Sequence, residues 1–272
     1  MKSKPSRSLK DSPTQGAQAV RRALSVLRVV ADSAPQQGVR LKDVVAQVAL
    51  NAATVHRLLR VLVEEGAVDY DPLARRYRGG KELFLLGLTR PGYFPIRALA
   101  EPYARKLAEL TGETVFLIVG GSNDTVVLDR KVGTGPVQVL AVEVGARLPM
   151  GLGSAGIALL ARMSEDEAEA IMVANALRYE AKGQSIDNIR AGVVAARELG
   201  YALMDPGLHP GTRSLAIAVD GPDGRPAATL AISAIRHRLP PTRVPGVVAT
   251  MQDIARQVSE RLGRDRRGRS RG

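Results

Sequence analysis

Two short amphipathic segments on either side of a tight turn constrain the fold of this chain more than any other feature. Within residues 41–48 the apolar side chains recur at positions i, i+3, i+4 and i+7, which is the spacing of one helix face. A turn at residues 49–50 follows, and Asn51 is well placed as the N-cap of a helix that runs to about Glu65 with the same apolar spacing. An earlier helix is expected from Gln18 to about Ser33. The pattern predicts three helices, of which the second and third form a helix-turn-helix.

A basic ribbon is expected directly after the third helix. Gly66 ends that helix, and the short segments 68–70 and 75–78 flank a turn at residues 71–74. The second segment reads Arg75-Arg-Tyr-Arg78, so its strand carries three arginines. Helices and ribbon together predict a winged helix-turn-helix.

The basic excess of the chain is unevenly placed. The net charge is +12, to which residues 1–14 contribute +3, residues 15–80 contribute +4 and the tail from Arg261 contributes +5, while residues 81–260 are neutral. A nucleic-acid-binding head on a neutral body has this distribution. For the two tails alone, a role in solubility explains the charge equally well.

Composition excludes several classes of protein. The 272 residues contain no cysteine, which rules out disulfides and thiolate metal sites and favours a reducing cytoplasm. No apolar run approaches the roughly eighteen residues that span a bilayer, and the N-terminus lacks an apolar signal segment. We expect a cytoplasmic protein with no cofactor, no metal and no membrane partner.

From Thr114 onward the pattern changes to alternating strands and helices. The strands predict an antiparallel sheet flanked by helices, so the whole chain is assigned to the α+β class. Expected strands are 114–119, 125–131, 138–142, 201–204, 214–219 and 227–235, and expected helices are 154–162, one opening at the capping box 164–167, 185–199 and 244–262.

The third helix and the ribbon carry the candidate DNA contacts. A helix fits the major groove, where Arg57 can read a guanine and Thr54 can contact a phosphate or a thymine methyl. The ribbon arginines can follow phosphates or enter a minor groove. The alternatives are a three-helix domain with a solvated basic face and, for His56, a plain surface histidine. The candidate DNA-binding residues are Asn51, Thr54, His56, Arg57, Arg60, Arg75, Arg76 and Arg78.

Residues 17–87 resemble the DNA-binding domain of the IclR family of transcriptional regulators. The strongest single match is Thr54-Val-His-Arg-Leu-Leu59, and the ribbon followed by Tyr77-Arg-Gly-Gly-Lys-Glu-Leu-Phe-Leu-Leu-Gly87 completes the pattern. The similarity continues to Leu262, and the order and spacing of its segments argue against coincidence. Other matching segments are 19–27, 41–46, 66–69, 107–115, 156–161, 198–202 and 211–219.

The resemblance implies a C-terminal GAF-like effector-binding domain for a small organic acid or a similar metabolite. It also implies a homodimer, or a dimer of dimers, on palindromic double-stranded operator DNA. Carried over by position, the effector-binding residues are Met150, Gly151, Leu152, Gly153, Ser154, Asp205, Ser214 and Ser233. Simpler roles stay open: a tight turn for the glycines, a turn before Pro206 for Asp205, and hydroxyls satisfied by backbone for the serines.

The expected pocket departs from the family at three places. Family members commonly have Pro-Leu-His-Ala where this chain has Pro149-Met-Gly-Leu152, and a lysine where it has Ile157. The usual acidic stretch is reduced to Asp205-Pro-Gly-Leu208. Fewer polar groups would face the ligand, so we expect a more apolar or aromatic effector than small hydroxy or keto acids.

Two other classes of function compete with this one. A hydrolase on the C-terminal body finds little support, because the glycines of Gly151-Leu-Gly-Ser-Ala-Gly156 are wrongly spaced for a nucleophile elbow and the three histidines lie at no metal-site spacing. A ligand-independent architectural DNA-binding protein would not need the neutral body. We therefore expect no enzyme.

The expected organisation has five parts. These are a disordered basic tail at 1–14, the winged helix-turn-helix at 15–80, linker and dimerisation helices at 81–110, the GAF-like effector-binding domain at 111–262, and an arginine-rich tail at 263–272.

Overall fold

The computed structural model describes residues 15–33, 37–88, 95–140 and 142–269. The chain divides into two compact units, Met1–Tyr93 and Phe94–Gly272. The tail expected at residues 1–14 lies outside the described residues. None of the helices described is both long and apolar enough to cross a membrane.

The first unit consists of helices and one small ribbon. Its elements are α1 (Gln15–Ala31), α2 (Leu41–Gln47), α3 (Ala52–Glu64), β1 (Val68–Asp71), β2 (Arg76–Gly79) and α4 (Lys81–Leu88). The two strands pair antiparallel, with Tyr70 opposite Tyr77 and their rings 4.7 Å apart between centroids. The expected winged helix-turn-helix is confirmed.

A small apolar core holds this unit together. Val26 of α1, Val44 of α2, and Val55 and Leu59 of α3 are all fully buried. The side chain of Asn51 accepts a hydrogen bond of 2.8 Å from the backbone N–H of Thr54, which confirms its expected role as N-cap of α3. Because the first N–H groups of a helix have no intrahelical partner, this bond defines where α3 begins.

The second unit is one antiparallel sheet covered by helices on both faces. Its strands run in the order β5-β4-β3-β8-β7-β6. The elements are α5 (Pro95–Thr111), β3 (Thr114–Gly121), β4 (Asp124–Lys131), β5 (Arg147–Pro149), α6 (Ser154–Ala161), α7 (Glu165–Glu180), α8 (Ile186–Leu199), β6 (Ala202–Met204), β7 (Thr212–Asp220), β8 (Pro226–Ile235) and α9 (Val244–Arg269).

Alternation along the strands divides the interior of this unit into two cores. Val115 and Leu117 of β3 point to the face covered by α5 and α9. Phe116 and Ile118 point to the opposite face, covered by α6, α7 and α8. Since successive strand residues face opposite sides of a sheet, one continuous apolar run supplies both cores.

The strand expected at residues 138–142 is wrong, and the sheet takes Arg147–Pro149 as its edge strand β5 instead. The side chain of Gln138, and not a set of strand hydrogen bonds, holds this segment against the sheet. Gln138 donates from Nε2 to the backbone oxygens of Gly112 and Gly135, at 3.0 and 2.8 Å, and accepts at Oε1 from the hydroxyl of Thr114 at 2.8 Å. The loop is therefore fastened to the start of β3 without forming a strand.

Helix α9 is longer than the sequence pattern indicates. We expected its end near Leu262, the last residue of its buried face, but the helix continues to Arg269 and includes most of the arginine-rich segment. Apolar periodicity marks only the part of a helix that carries a repeating apolar face, so it does not detect a continuation made mostly of arginine, glycine and aspartate.

A buried carboxylate ties together the elements around the start of β3. Glu113 is fully buried, and its Oε1 accepts hydrogen bonds from Arg238 Nε at 3.0 Å and Arg243 Nη1 at 2.8 Å. These two arginines lie between β8 and α9, so the pair joins the α5–β3 junction to the end of β8.

Candidate DNA-binding surface and ligand cavity

The outer face of α3 presents the candidate DNA-reading residues. His56, Arg57 and Arg60 are exposed, and Thr54 is half-buried. Arg60 lies 3.5 Å from Glu64 in an exposed ion pair, whereas Arg57 has no carboxylate partner among the described residues. Both guanidiniums are accessible, but the charge of Arg57 is not offset by a carboxylate among the described residues.

The three ribbon arginines differ in what they contact. Arg76 donates from Nη1 to the backbone oxygens of Gln37 and Gly38, at 3.2 and 2.9 Å. Arg78 lies 3.5 Å from Asp71 across the ribbon. Arg75 is exposed at the turn, with φ of 52°, and the described residues offer it no ion-pair partner. Two of the three therefore hold the ribbon in place, and Arg75 faces outward.

A cavity lies between the sheet and the start of α6 in the second unit. The space between the lining atoms and the open mouth of this cavity is about 500 Å³, which includes solvent outside the mouth. Among the described residues, no charged side chain lines it. The lining residues are Phe116, Ile118, Thr125, Val127, Val142, Leu148, Leu152, Gly153, Ser154, Ala155, Leu208, Ser214, Ala231, Ile232 and Ser233.

Five of the eight predicted effector-binding residues line this cavity: Leu152, Gly153, Ser154, Ser214 and Ser233. Ser214 and Ser233 are direct cross-strand neighbours on β7 and β8. Ser154 is the first residue of α6 and follows Gly153, whose φ of 86° turns the chain into the helix. The cavity therefore brings three serine hydroxyl groups together with the N-terminal end of a helix.

The hydroxyl of Ser214 is the polar group of the cavity that most needs a partner. Ser214 is only 8% exposed, and its buried Oγ has no hydrogen-bond partner among the described residues. A buried hydroxyl without a partner destabilises a fold by about 1–3 kcal/mol. A ligand atom that accepts or donates a hydrogen bond here would recover that free energy.

Met150 and Gly151, also predicted for the pocket, serve packing and do not line the cavity. The backbone oxygen of Met150 accepts a hydrogen bond from the hydroxyl of Tyr179. Gly151 has φ of 108°, and a Cβ there would come within 2.6 Å of Tyr179 Oη. The tight-turn alternative describes Gly151 best, because only glycine fits that conformation and that space.

Asp205 does not line the cavity either. Its carboxylate accepts hydrogen bonds from Arg213 Nε at 3.0 Å and Arg236 Nε at 2.8 Å. Hydrogen bonding to Arg213, reinforced by Arg236, holds the pKa of Asp205 below its usual value against the opposing effect of burial. With both oxygens engaged, Asp205 joins β6, β7 and the end of β8 rather than contacting a ligand.

Sequence reasoning missed the apolar wall of the cavity. Phe116 and Ile118 on β3 and Val127 on β4 share an inward face, which strand alternation can detect. No sequence signal shows that the first turn of α6 stands far enough from that face to leave space. Leu208, which also lines the cavity, belongs to a loop with no regular pattern.

A helix-turn-helix joined to a separate cavity-bearing unit is typical of DNA-binding regulators that respond to a small molecule. Two family models match this chain: the IclR helix-turn-helix domain at residues 19–72 and the bacterial transcriptional regulator IclR C-terminal domain at residues 92–260. The chain belongs to the IclR family of bacterial transcriptional regulators. It is a DNA-binding regulator of transcription and not an enzyme.

Transcriptional repressors are similar to this chain over most of their length. The HTH-type transcriptional repressor AllR of Escherichia coli K12 is 28% identical over 251 residues, covering 92% of each chain. AllR of Salmonella typhimurium is also 28% identical, covering 92% of this chain and 91% of its own.

Solved structures share the fold. An IclR transcriptional regulator from Silicibacter sp. TM1040 has a TM-score of 0.75 and 26% identity, covering 90% of this chain and 96% of its own. An IclR homologue from Microbacterium hydrocarbonoxydans, solved with 4-hydroxybenzoate, has a TM-score of 0.65 and 22% identity, covering 90% and 98%.

Proposed function

We infer that this regulator binds a palindromic operator as a homodimer in the cytoplasm and that a small organic acid in the cavity changes its operator affinity. The unpartnered Ser214 hydroxyl in a mostly apolar cavity without charged side chains carries the proposal of a ligand site. The AllR relatives are named repressors, and we extend that sign of regulation to this chain.

On the DNA side, Arg57 reads bases while Thr54, His56 and Arg60 contact the groove edge and phosphates. Arg75 at the ribbon turn reaches a phosphate or the minor groove. Asn51, Arg76 and Arg78 act indirectly, because their side chains already hold α3 and the ribbon in place. Our proposal thus divides the eight candidates into contacting and positioning residues.

On the ligand side, the lining favours an aromatic acid over a small dicarboxylate. A flat apolar body packs against Phe116 and Ile118, while a carboxylate lies at Ser214, Ser233 and the first N–H groups of α6. Hydroxyls and a helix N-terminus stabilise one anionic group without a basic side chain. The 4-hydroxybenzoate bound to the Microbacterium homologue belongs to this class of ligand.

The homodimer contact is proposed at α4. The side chain of Leu85 is 46% exposed on this apolar helix, so a second chain can pack against it. Two-fold symmetry then presents two α3 helices to half-sites about one or more helical turns apart. Leu85→Glu should abolish binding to the full palindrome and leave the protein folded.

Thermal shift with 4-hydroxybenzoate, benzoate and succinate tests the ligand site. We expect the aromatic acids to raise Tm by several degrees, since ligand binding to the native state stabilises it. Ser214→Ala should weaken that binding about tenfold through the lost hydrogen bond. Ser259→Ala, which lies outside the cavity, is the matched control. Stabilisation by succinate but by neither aromatic acid would overturn the proposed ligand class.

Electrophoretic shifts at fixed salt test the regulatory part. Footprinting of the purified protein on genomic DNA first supplies the operator. The aromatic acid that raises Tm should then change the operator Kd at least fivefold, which is a typical allosteric coupling of about 1 kcal/mol. If the ligand binds but the operator Kd does not change, the proposed ligand site stands and the proposed regulation is contradicted.

A further inference from the structure

Helix α9 (Val244–Arg269) consists of two parts with different chemistry. As far as Leu262 it carries a buried apolar face that belongs to the core of the second unit. Its last residues, 261–269, are here called the basic end of α9, and they contain five arginines and one acid, Asp265. Five positive charges and one negative charge give the basic end a net charge of +4.

The arginines of α9 differ in the partners that they have. Arg256, in the packed part of the helix, pairs with Asp253 and lies 3.2 Å from Glu260. Arg264 is 4.0 Å from Glu260, at the outer limit of an ion pair. Arg261 is exposed and has no carboxylate partner among the described residues. The acids of α9 thus compensate the packed part and leave the basic end with a positive excess.

The sequence of the basic end is unfavourable for a helix by itself. Positions 261, 264 and 267 are all arginine, and this i, i+3 spacing places like charges on one side of a helix. Gly263 and Gly268 lie in the same stretch, and glycine is a weak helix former. The negative end of the helix dipole offsets only part of the repulsion. A polyanion that neutralises the arginines would therefore stabilise this helical end.

We propose that the basic end of α9 binds the phosphate backbone of double-stranded DNA, as a sequence-independent contact in addition to that of the helix-turn-helix. DNA is the polyanion that a DNA-binding regulator meets at its operator. At 1.5 Å per residue the basic end is about 12 Å long. Duplex DNA carries about seven phosphate charges over that length, which exceeds the charge of the basic end. Arginine contacts to phosphate add affinity without reading bases.

The proposed contact is a feature of this chain and is not carried over from its relatives. The match to the IclR C-terminal domain covers residues 92–260, so the basic end lies beyond it. No residue of the basic end lines the cavity or belongs to α3 or the ribbon. Loss of the contact should therefore leave operator recognition and ligand binding intact, and a failure of this proposal is distinguishable from a failure of the proposed function.

A salt titration of the full chain on duplex DNA of random sequence tests the proposal. Replacing Arg264, Arg266 and Arg267 together by glutamine should weaken binding about tenfold or more and lower the slope of log K against log salt by about three, since each phosphate contact contributes roughly 0.9. The matched control replaces the same three residues by lysine, which keeps the charge and should bind like the wild type. Both variants should keep the wild-type Tm, because the buried face of α9 ends at Leu262.

An unchanged slope in the glutamine variant, at a wild-type Tm, would overturn the proposal and leave solubility as the role of this charge. A lysine variant that binds as weakly as the glutamine variant would contradict the electrostatic basis of the contact. The losses on operator and random DNA should be equal, because a phosphate contact does not read sequence. A loss confined to the operator would also overturn the proposal.

Two single substitutions in the same helix refine the test. Arg261→Gln removes an exposed arginine that has no carboxylate partner among the described residues, and it should lower the salt slope by about one. Arg256→Gln removes an arginine that Asp253 and Glu260 already compensate, and it should leave the slope unchanged. Equal effects of the two substitutions would show that the basic end is no closer to DNA than the packed part of α9.

Discussion

The two units of this protein use arginine in opposite ways. In the DNA-binding unit, Arg57 and Arg75 have no carboxylate partner among the described residues and face outward. In the second unit, Arg213, Arg238 and Arg243 are engaged with the carboxylates of Asp205 and Glu113. The same side chain is therefore left accessible to other molecules where no carboxylate reaches it, and it holds elements of the fold together where Asp205 or Glu113 pairs with it.

The strongest way to break this comparison is to remove the buried acid. Glu113→Gln should lower the free energy of unfolding by about 3 kcal/mol, because two guanidiniums lose the charge that compensates them. Glu109→Gln, at an exposed position of the preceding helix, should change it by less than about 0.5 kcal/mol. Urea unfolding monitored by circular dichroism measures both. Equal losses of unfolding free energy in the two variants would show that Glu113 stabilises the fold no more than an exposed glutamate does.

The unpartnered arginine of α3 provides the next largest effect. Arg57→Ala should cost about 1–3 kcal/mol at the operator and less on random DNA, because a base contact is lost. Arg60→Ala should cost less at the operator, since Arg60 already pairs with Glu64. Electrophoretic shifts at one salt concentration compare them. Equal losses on operator and random DNA would mean that Arg57 contacts phosphate only.

The β1–β2 ribbon allows an unpartnered arginine to be compared with a partnered one next to it. Arg75→Ala should weaken binding to all sequences and reduce the slope of log K against log salt by about one. Arg76→Ala should instead lower the Tm of the unit, because its bonds to Gln37 and Gly38 hold the ribbon. A salt titration with a parallel melting curve decides between these roles, and a reversal of the two outcomes would contradict the assignment.

The smallest expected effect concerns pH. The pKa of Asp205 is lower in the folded chain than its ordinary value near 3.8, owing first to Arg213. Its stabilising contribution is therefore present above the unfolded pKa and is lost as pH falls through the folded one. Asp205→Asn should make the acid side of the stability curve shallower between about pH 5 and pH 2. An unchanged curve would show that the carboxylate is not coupled to folding.

Much of the first unit could be predicted because its signals are local. Apolar spacing, the cap at Asn51 and the turn before it define α2 and α3, and all three signals lie close together in the sequence. The second unit was harder, as the mistaken strand at 138–142 shows. Gln138 fastens that loop through contacts with Gly112 and Gly135 that no local pattern contains.

The candidate sites divide in the same way. Position in the chain indicated Ser154, Ser214 and Ser233, but only the pairing of β7 with β8 shows that the last two are neighbours. Asp205 looked equally suited to a ligand until the fold placed Arg213 and Arg236 against it. A polar residue's role depends on the partner that reaches it, and sequence spacing does not report partners from distant strands.

The sequence by itself determined the winged helix-turn-helix, the α+β body and the placement of basic charge, because helix and strand periods and formal charges are properties of neighbouring residues. The tertiary structure alone decided which arginines remain unpartnered and where the cavity opens. Those features arise from contacts between residues far apart in the chain, and it is such contacts that bury one group and leave another exposed.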